Sequence, residues 1–178
     1  MRHDGLMSRP RRLKLPDEVA ARLALAPGER PLAWAAGRDG EWYVGTDRAV
    51  HVFDEGAFRK VGWEHVERAD WRSDTAQLAI VESADWGEPE RRTEITLSDP
   101  GRLLELLRER VTKTIVCTVY APVRKRVGLS VVGRRSPVGD GPVSWSYLLA
   151  EGLDPADPLV AEVAARAMQQ AESELAGL

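Results

Sequence analysis

The sequence predicts an α+β protein in which an antiparallel β-barrel is closed by one helix and followed by a β-β-β-α extension. Three features carry this prediction. Seven short strand-like segments separated by turn signals lie between residues 31 and 97, and an amphipathic helix pattern follows them. Three further strand patterns and a final helix pattern occupy residues 113–178. Strands at such short spacing favour a barrel or a sandwich over alternating βαβ units.

The seven predicted strands follow one another as hairpins. Asp39-Gly40 is the signal of a tight turn between the first two strands, and Asp47-Arg48 and Glu55-Gly56 mark the next two turns. The tetrapeptide 63–66 is interpreted as a single turn rather than as strand. The predicted strands are 31–37, 41–46, 49–54, 57–62, 67–72, 77–82 and 92–97.

The helix after the seventh strand has a start signal and one apolar side. Asp99 is suited to the N-cap, and Pro100 fits the first helical position, where its missing N–H costs nothing. Such a helix has to bury its apolar face, and the open end of the barrel is the nearest apolar surface. The apolar positions are Leu103, Leu104, Leu106, Leu107 and Val111.

Two motifs resemble those of bacterial pleckstrin-homology-like domains. Residues 60–67 (KVGWEHVE) resemble the strand, aromatic-x-x-aliphatic turn and strand of that family, and residues 45–50 (GTDRAV) resemble its second hairpin. The resemblance covers about half of the chain and implies a pleckstrin-homology-like barrel with a capping helix, without a catalytic residue. The whole chain also resembles uncharacterised proteins of high-GC actinobacteria, partly through its heavy use of Arg over Lys.

Length and composition limit the classes of function. The chain has 178 residues, of which 43% are hydrophobic and 30% charged, and this suffices for a packed core. With 25 basic and 28 acidic residues the net charge is −3, which argues against a general nucleic-acid binder. A single cysteine excludes an internal disulfide and a Cys/His zinc cluster. No signal peptide or membrane span is evident, so a cytoplasmic location is expected.

Three regions are predicted along the chain. Residues 1–28 form a basic N-terminal arm and a short helix that starts near Pro16, and residues 29–112 form the barrel and its capping helix. Residues 113–178 form the extension, with strands at 113–121, 127–134 and 143–150 and a helix capped by the segment 154–158. The extension is too thinly apolar to stand alone. It has to pack on the barrel or on a second copy, and we expect a homodimer.

Aromatic, histidine and cysteine residues are candidates for contact or catalytic sites. Trp86 lies in the polar loop 83–91, where a tryptophan is a candidate for contact with a partner or folds back over the barrel. No partner motif accompanies any histidine, so structural or surface roles are expected, and Cys117 is expected to be a small buried residue. No catalytic residue, cofactor site or metal site is predicted. Core and structural roles are expected for Trp34, Trp42, Trp63, Trp71, His3, His51 and His65.

Two basic groups remain as candidate anion sites. Each lies at or near a predicted connection of the extension, where charged hairpin tips are also common for solubility. The favoured function is therefore a non-enzymatic binding or scaffolding module that contacts another protein through a sheet edge or loop. The alternative is recognition of a lipid headgroup or nucleic acid by the basic groups. Their members are Arg124, Lys125, Arg126, Arg134 and Arg135.

Overall fold

The computed structural model describes residues 14–177 of the chain. Its described part is an α+β structure with three antiparallel sheets. Most of the predicted basic arm, together with His3, lies outside the described residues. The predicted helix near Pro16 is present but shorter than the sequence pattern suggests.

The elements follow the predicted order. The described helices are α1 (Asp17–Arg22), α2 (Leu103–Thr114) and α3 (Pro158–Ala176). The described strands are β1 (Pro31–Ala36), β2 (Trp42–Thr46), β3 (Ala49–Asp54), β4 (Ala57–Gly62), β5 (Val66–Arg72), β6 (Gln77–Glu82), β7 (Arg92–Thr96), β8 (Ile115–Arg124), β9 (Val127–Arg134) and β10 (Ser144–Leu149). The turn predicted at residues 63–66 is a single 3-10 turn, Trp63–His65.

The first seven strands and α2 form what we call the two-sheet unit, residues 31–114. Its sheets have the orders β1-β2-β3-β4 and β5-β6-β7, and an isolated bridge between Gly37 and Leu97 links them. The arrangement is therefore two open sheets rather than one continuous ring of strands. Both sheets bury side chains in one core, which includes Tyr43, Val50, Val52, Trp63, Leu78, Ile80, Leu97, Leu103 and Leu107.

The capping helix begins three residues later than its sequence signals indicate. Gly101 has φ +48°, which takes the chain out of the right-handed helical region, and the Asp99 carboxylate accepts a hydrogen bond from the Gly101 N–H at 2.9 Å. Asp99 therefore holds a turn before the helix, and the prediction that it caps a helix starting at Pro100 is wrong. Arg102 precedes the first helical residue, Leu103.

Helix α2 lies directly against β2. Gly45 makes this close approach feasible, because a Cβ there would lie 2.5 Å from Leu106 Cδ2 and 3.4 Å from Leu103 Cδ1. The fully buried Trp63 ring fixes the same end of the core, and its indole N–H donates to the Thr46 carbonyl at 2.9 Å. The motifs around residues 45–50 and 60–67 therefore meet beneath α2.

The N-terminal segment covers the outer face of the first sheet. Leu15, Val19 and Leu23 are buried against Val44 of β2. Half-buried Trp34 and Trp42 pack against the cluster formed by these four residues. Trp71 packs against the core beneath α2. The four tryptophans of the strands and the 3-10 turn thus have packing roles, as expected.

The extension, residues 115–177, has its own small core. Its sheet has the order β10-β9-β8, and α3 packs on one face of it. Asp157 caps α3, with its carboxylate accepting from the Leu159 N–H at 2.9 Å. Strand β8 runs to Arg124, further than predicted, because an edge strand tolerates the missing N–H of Pro122. The apolar side chains between α3 and the sheet include Val119, Leu129, Val131, Val160, Val163, Ala164, Ala167 and Ala171.

The capping helix generates the first prediction. Leu107 is 1% exposed in the common core, so Leu107→Ala should lower the free energy of unfolding by about 2–5 kcal/mol in urea titrations. Leu32→Ala is the matched control, because Leu32 is 38% exposed and its truncation should cost no more than about 0.5 kcal/mol. Equal losses for the two variants would contradict the packing described for α2.

Candidate functional site

A groove of about 470 Å³ lies between α2 and β5. The fully buried side chains of Leu78 and Leu107 contribute to its lining, and half-buried Trp71, Leu104 and Val111 complete the apolar surface. These apolar groups lie at a solvent-accessible concavity. Such a surface is suited to an apolar side chain of a ligand.

One wall of the groove is an edge strand. Strand β5 pairs with β6 on one side, and no other strand lies beside it within residues 14–177. The Glu67 carbonyl at the start of β5 accepts a hydrogen bond from Arg134 Nη2 at 3.0 Å. Beyond that point, residues 68–72 form a strand edge with no neighbouring strand. An extended chain could add to this edge while a side chain enters the groove.

The charges around the groove are unequally matched. Arg68 binds the Glu90 carboxylate through both terminal nitrogens, at 3.2 and 3.1 Å, and lies 3.5 Å from Asp70. Arg108 lines the groove from α2, is exposed, and forms no ion pair with another described residue. An acidic group beside the bound apolar side chain would therefore meet a guanidinium group that is free to pair with it.

The candidate contact residue Trp86 lies against the extension rather than at a free loop tip. The Glu88 N–H donates to the Asp85 carbonyl at 3.0 Å and Gly87 has φ +79°, so these residues form a tight turn that presents the indole. The Trp86 and Tyr147 rings meet edge to face, with centroids 4.9 Å apart. The turn lines a crevice of about 290 Å³ between the two-sheet unit and the extension.

A buried ion pair joins the same two parts of the molecule. Arg134 and Glu67 are 3% and 6% exposed, and Arg134 Nη2 lies 3.2 Å from Glu67 Oε1. Arg134 Nη1 donates to the Val111 carbonyl and to Thr114 Oγ1, both at 3.0 Å. The Ser146 hydroxyl donates to the other Glu67 oxygen at 2.7 Å. A strand of the extension is thereby bonded to both α2 and β5.

The structure does not bring the two basic groups together. Strand β9 separates the 125–126 turn from Arg134 and Arg135, a distance of roughly 23 Å for eight extended residues. Arg124 pairs with Asp157 at 2.8 Å, and buried Arg134 is committed to its internal partners. These five residues therefore do not form a single anion site.

A second buried network surrounds Glu29, on the outer face of the first sheet. The Glu29 carboxylate accepts from Lys60 Nζ at 2.6 Å, Thr46 Oγ1 at 2.7 Å and the Ala26 N–H at 3.0 Å, and it lies 3.0 Å from His51 Nε2. Burial raises the pKa of the Glu29 carboxyl, but these hydrogen bonds outweigh burial and bring the pKa to about 2. The network ties the N-terminal segment to β2, β3 and β4.

The two described histidines and the cysteine contact neighbouring groups of the protein. His51 is 2% exposed within the Glu29 network, and exposed His65 lies 3.9 Å from Glu64. Half-buried Cys117 donates its S–H to the Ala171 carbonyl at 3.8 Å, and burial together with the nearby Glu174 raises the pKa of the thiol. A raised thiol pKa leaves less of the nucleophilic thiolate at neutral pH.

Sequence reasoning did not single out Glu67, Ser146 or Glu29, which are central to the two buried networks. Glu67 follows buried Val66 in β5, and Ser146 lies between aromatic residues of β10, so neither stands out from a solvated strand residue. Glu29 lies in a polar turn segment. A charged residue within a strand is the one signal available, and this signal applies equally to many exposed positions.

Comparisons of the chain with protein-family models, with curated proteins and with solved structures find no match. Among the described helices, none combines the length and the apolar character needed to cross a lipid bilayer. Within residues 14–177, no group of three or more His, Cys, Asp or Glu side chains is arranged to hold a metal ion.

The buried Arg134–Glu67 ion pair leads to a prediction about the stability of the fold. Arg134→Met leaves the Glu67 carboxylate buried without its cation, so the free energy of unfolding should fall by about 3–5 kcal/mol. Arg124→Met is the matched control: it breaks the exposed Arg124–Asp157 pair and should cost no more than about 1 kcal/mol. Adding Glu67→Leu to Arg134→Met should recover part of the loss in a double-mutant cycle. Purely additive losses would contradict coupling between the two residues.

The Glu29 network predicts a specific sensitivity to acid. The pKa of the Glu29 carboxyl is lowered from 4.5 to about 2 on folding. The ionised carboxylate therefore contributes fully to the free energy of unfolding above pH 4.5, and this contribution is lost as the pH falls through 2. Glu29→Gln should cost about 1.5–3 kcal/mol at pH 7, because its hydrogen bonds to charged and polar partners weaken. In unfolding titrations, the difference in free energy of unfolding between the unsubstituted chain and Glu29→Gln should decrease as the pH falls from 4.5 to 2. A pH-independent difference would contradict the assignment.

Proposed function

We propose that this chain is a non-enzymatic protein-binding module of the pleckstrin-homology-like kind, which binds an extended segment of another protein in the α2–β5 groove. The observation that carries the proposal is the coincidence of an apolar groove with an edge strand. The groove offers a place for a side chain, and the strand edge offers main-chain partners.

The fold assignment rests on topology and on the sequence motifs. Antiparallel sheets of four and three strands are followed by one helix that packs over their common core. The 3-10 turn Trp63–His65 and the hairpin turn at residues 46–49 separate strands within the two motifs on which the resemblance is based. Fold similarity suggests no activity by itself, so the function is argued from the groove.

The chemistry of the groove defines the class of segment that it would bind. An apolar side chain would contact Trp71, Leu104 and Val111, and a carboxylate beside it would pair with Arg108. Backbone groups of the segment would bond to the free edge of β5 within residues 68–72. Because most of the contact is apolar or between backbones, affinity should depend only weakly on salt concentration.

The anion-binding alternative has less support. Its residues lie at the two ends of β9, and Arg134 is buried in an ion pair within the protein. Lys125 and Arg126 form an exposed two-residue turn, which is a usual place for charge on a hairpin. The cytoplasmic location and the lack of enzymatic activity remain predictions from the sequence.

We also propose self-association through the extension. The small residues of α3 pack on the sheet of their own chain, with Ala164, Ala167 and Ala171 all 3% exposed or less. A second copy would therefore have to contact another part of the extension.

Peptide display with the intact chain tests the groove. Selection from a library of random extended peptides should enrich segments with a large apolar residue next to Asp or Glu, and calorimetry should give dissociation constants in the micromolar range. Leu104→Arg places a charge in the groove and should weaken binding at least about tenfold, a loss of about 1.4 kcal/mol.

Leu32→Arg is the matched control, because Leu32 is exposed on β1 and does not line the groove. It should leave the affinity unchanged. Binding that is insensitive to Leu104→Arg, or failure of the library to enrich any peptide, would overturn the proposed function. Strong weakening by salt would instead favour an anion site.

A further inference from the structure

The outer edge of the extension sheet is long and carries exposed apolar groups. Strand β8 has ten residues and forms one edge of its sheet, with β9 as its neighbour. Ile115 and Tyr120 in this strand are 42% and 60% exposed, and Leu159 of α3 is 43% exposed. Long apolar strand edges readily pair with another strand.

The direction of α3 places opposite charges at the two ends of this edge. Asp157 at the start of α3 pairs with Arg124 at the end of β8, so the basic turn 125–126 lies at this end. The Ala171 carbonyl contacts Cys117 near the other end, and Glu174 raises the pKa of the Cys117 thiol. The acidic end of α3 therefore lies near the start of β8.

Leu159 lies on the same side of α3 as Glu174. Fifteen positions are four helical turns plus about 60°, so the two side chains lie about 60° apart around the helix. Since Glu174 lies toward Cys117 of β8, this side of the helix flanks the exposed strand edge. Val119 of β8 is buried against α3, so its neighbour Tyr120 lies on the opposite face of the sheet, beside Gly128, and the exposed apolar groups of this edge lie on both faces.

We propose that β8 is the docking edge for a second copy of this chain, with the two β8 strands paired antiparallel about a two-fold axis. In that arrangement the basic turn of each copy lies beside the acidic end of α3 of the other copy. A parallel arrangement would place like charges together. The opposite charges of the basic turn and of Glu174 thus favour a second copy in the antiparallel direction, while Lys113 beside the start of β8 is already paired with Glu109.

The pairing joins two three-stranded sheets into one sheet of six strands, with both α3 helices on the same face. The two α3 helices then run antiparallel across the axis, with the Leu159 end of each beside the acidic end of the other. Pro122 has no N–H to donate, so the backbone bonds come chiefly from residues 115–121. The α2–β5 groove takes no part in this contact.

The inference deepens the proposed self-association, and it fails or holds independently of peptide binding. Sedimentation equilibrium of the intact chain up to about 100 µM should show a monomer–dimer equilibrium. Tyr120→Glu should raise the dimer dissociation constant at least about tenfold. Leu148→Glu is the matched control: Leu148 is 38% exposed on β10 at the opposite edge of the same sheet, and its substitution should not change the constant.

Charge reversal provides a second test at exposed positions that carry no core contact. The paired substitutions Lys125→Glu and Arg126→Glu should weaken the dimer several-fold, and so should Glu174→Lys. Combining all three should restore much of the lost affinity, because the charges are complementary again. A monomer at every concentration, a dimer insensitive to Tyr120→Glu and to charge reversal, or a dimer broken by Leu148→Glu would each overturn the proposal.

Discussion

The buried ion pair between Arg134 and Glu67 is the interaction on which the arrangement of this protein depends. The two-sheet unit and the extension each have a hydrophobic core, and among their apolar side chains Trp86 of the two-sheet unit packs against the core of the extension. Arg134 restricts the relative orientation of the two parts far more than this one contact, because its guanidinium bonds simultaneously to α2 and to both the carbonyl and the carboxylate of Glu67 in β5. Burial of a charge is tolerated only when nearly all of its partners are present. The pair therefore favours one relative placement of the two parts.

The hydrogen bonds of Arg134 also affect the geometry of the groove between α2 and β5. Both groove walls bond to the same guanidinium, β5 through the Glu67 carbonyl and α2 through the Val111 carbonyl. The separation of helix and strand at one end is thus set by a side chain from β9, outside the two-sheet unit. The extension consequently supports the site without lining its apolar surface, and within residues 14–177 its own edge strand β8 has a neighbouring strand on one side only.

The strands and turns followed well from local patterns, whereas ends of elements and long-range polar contacts did not. All ten described strands lie within a few residues of their predicted positions, since Asp-Gly and Glu-Gly turns and β-rich segments act locally. The predicted start of α2 is three residues too early, because Gly101 adopts a positive φ and the residues Asp99 and Pro100 give no signal of this. The sequence pattern indicates Arg134 as a candidate anion-binding residue, because its buried partner Glu67 lies 67 positions away and no local signal connects the two.

The α+β class, the order of elements, the apolar face of α2 and the absence of any internal disulfide follow from the amino-acid sequence, because periodicity, turn residues and cysteine number are properties of the chain. Tertiary structure alone decided that seven strands form two open sheets, that Trp86 packs on Tyr147, and that a groove opens between α2 and β5. The reason is physical: pairing and burial depend on distances between residues far apart in sequence, and one charged side chain fits a solvated surface or a buried ion pair equally well until its partner is in place.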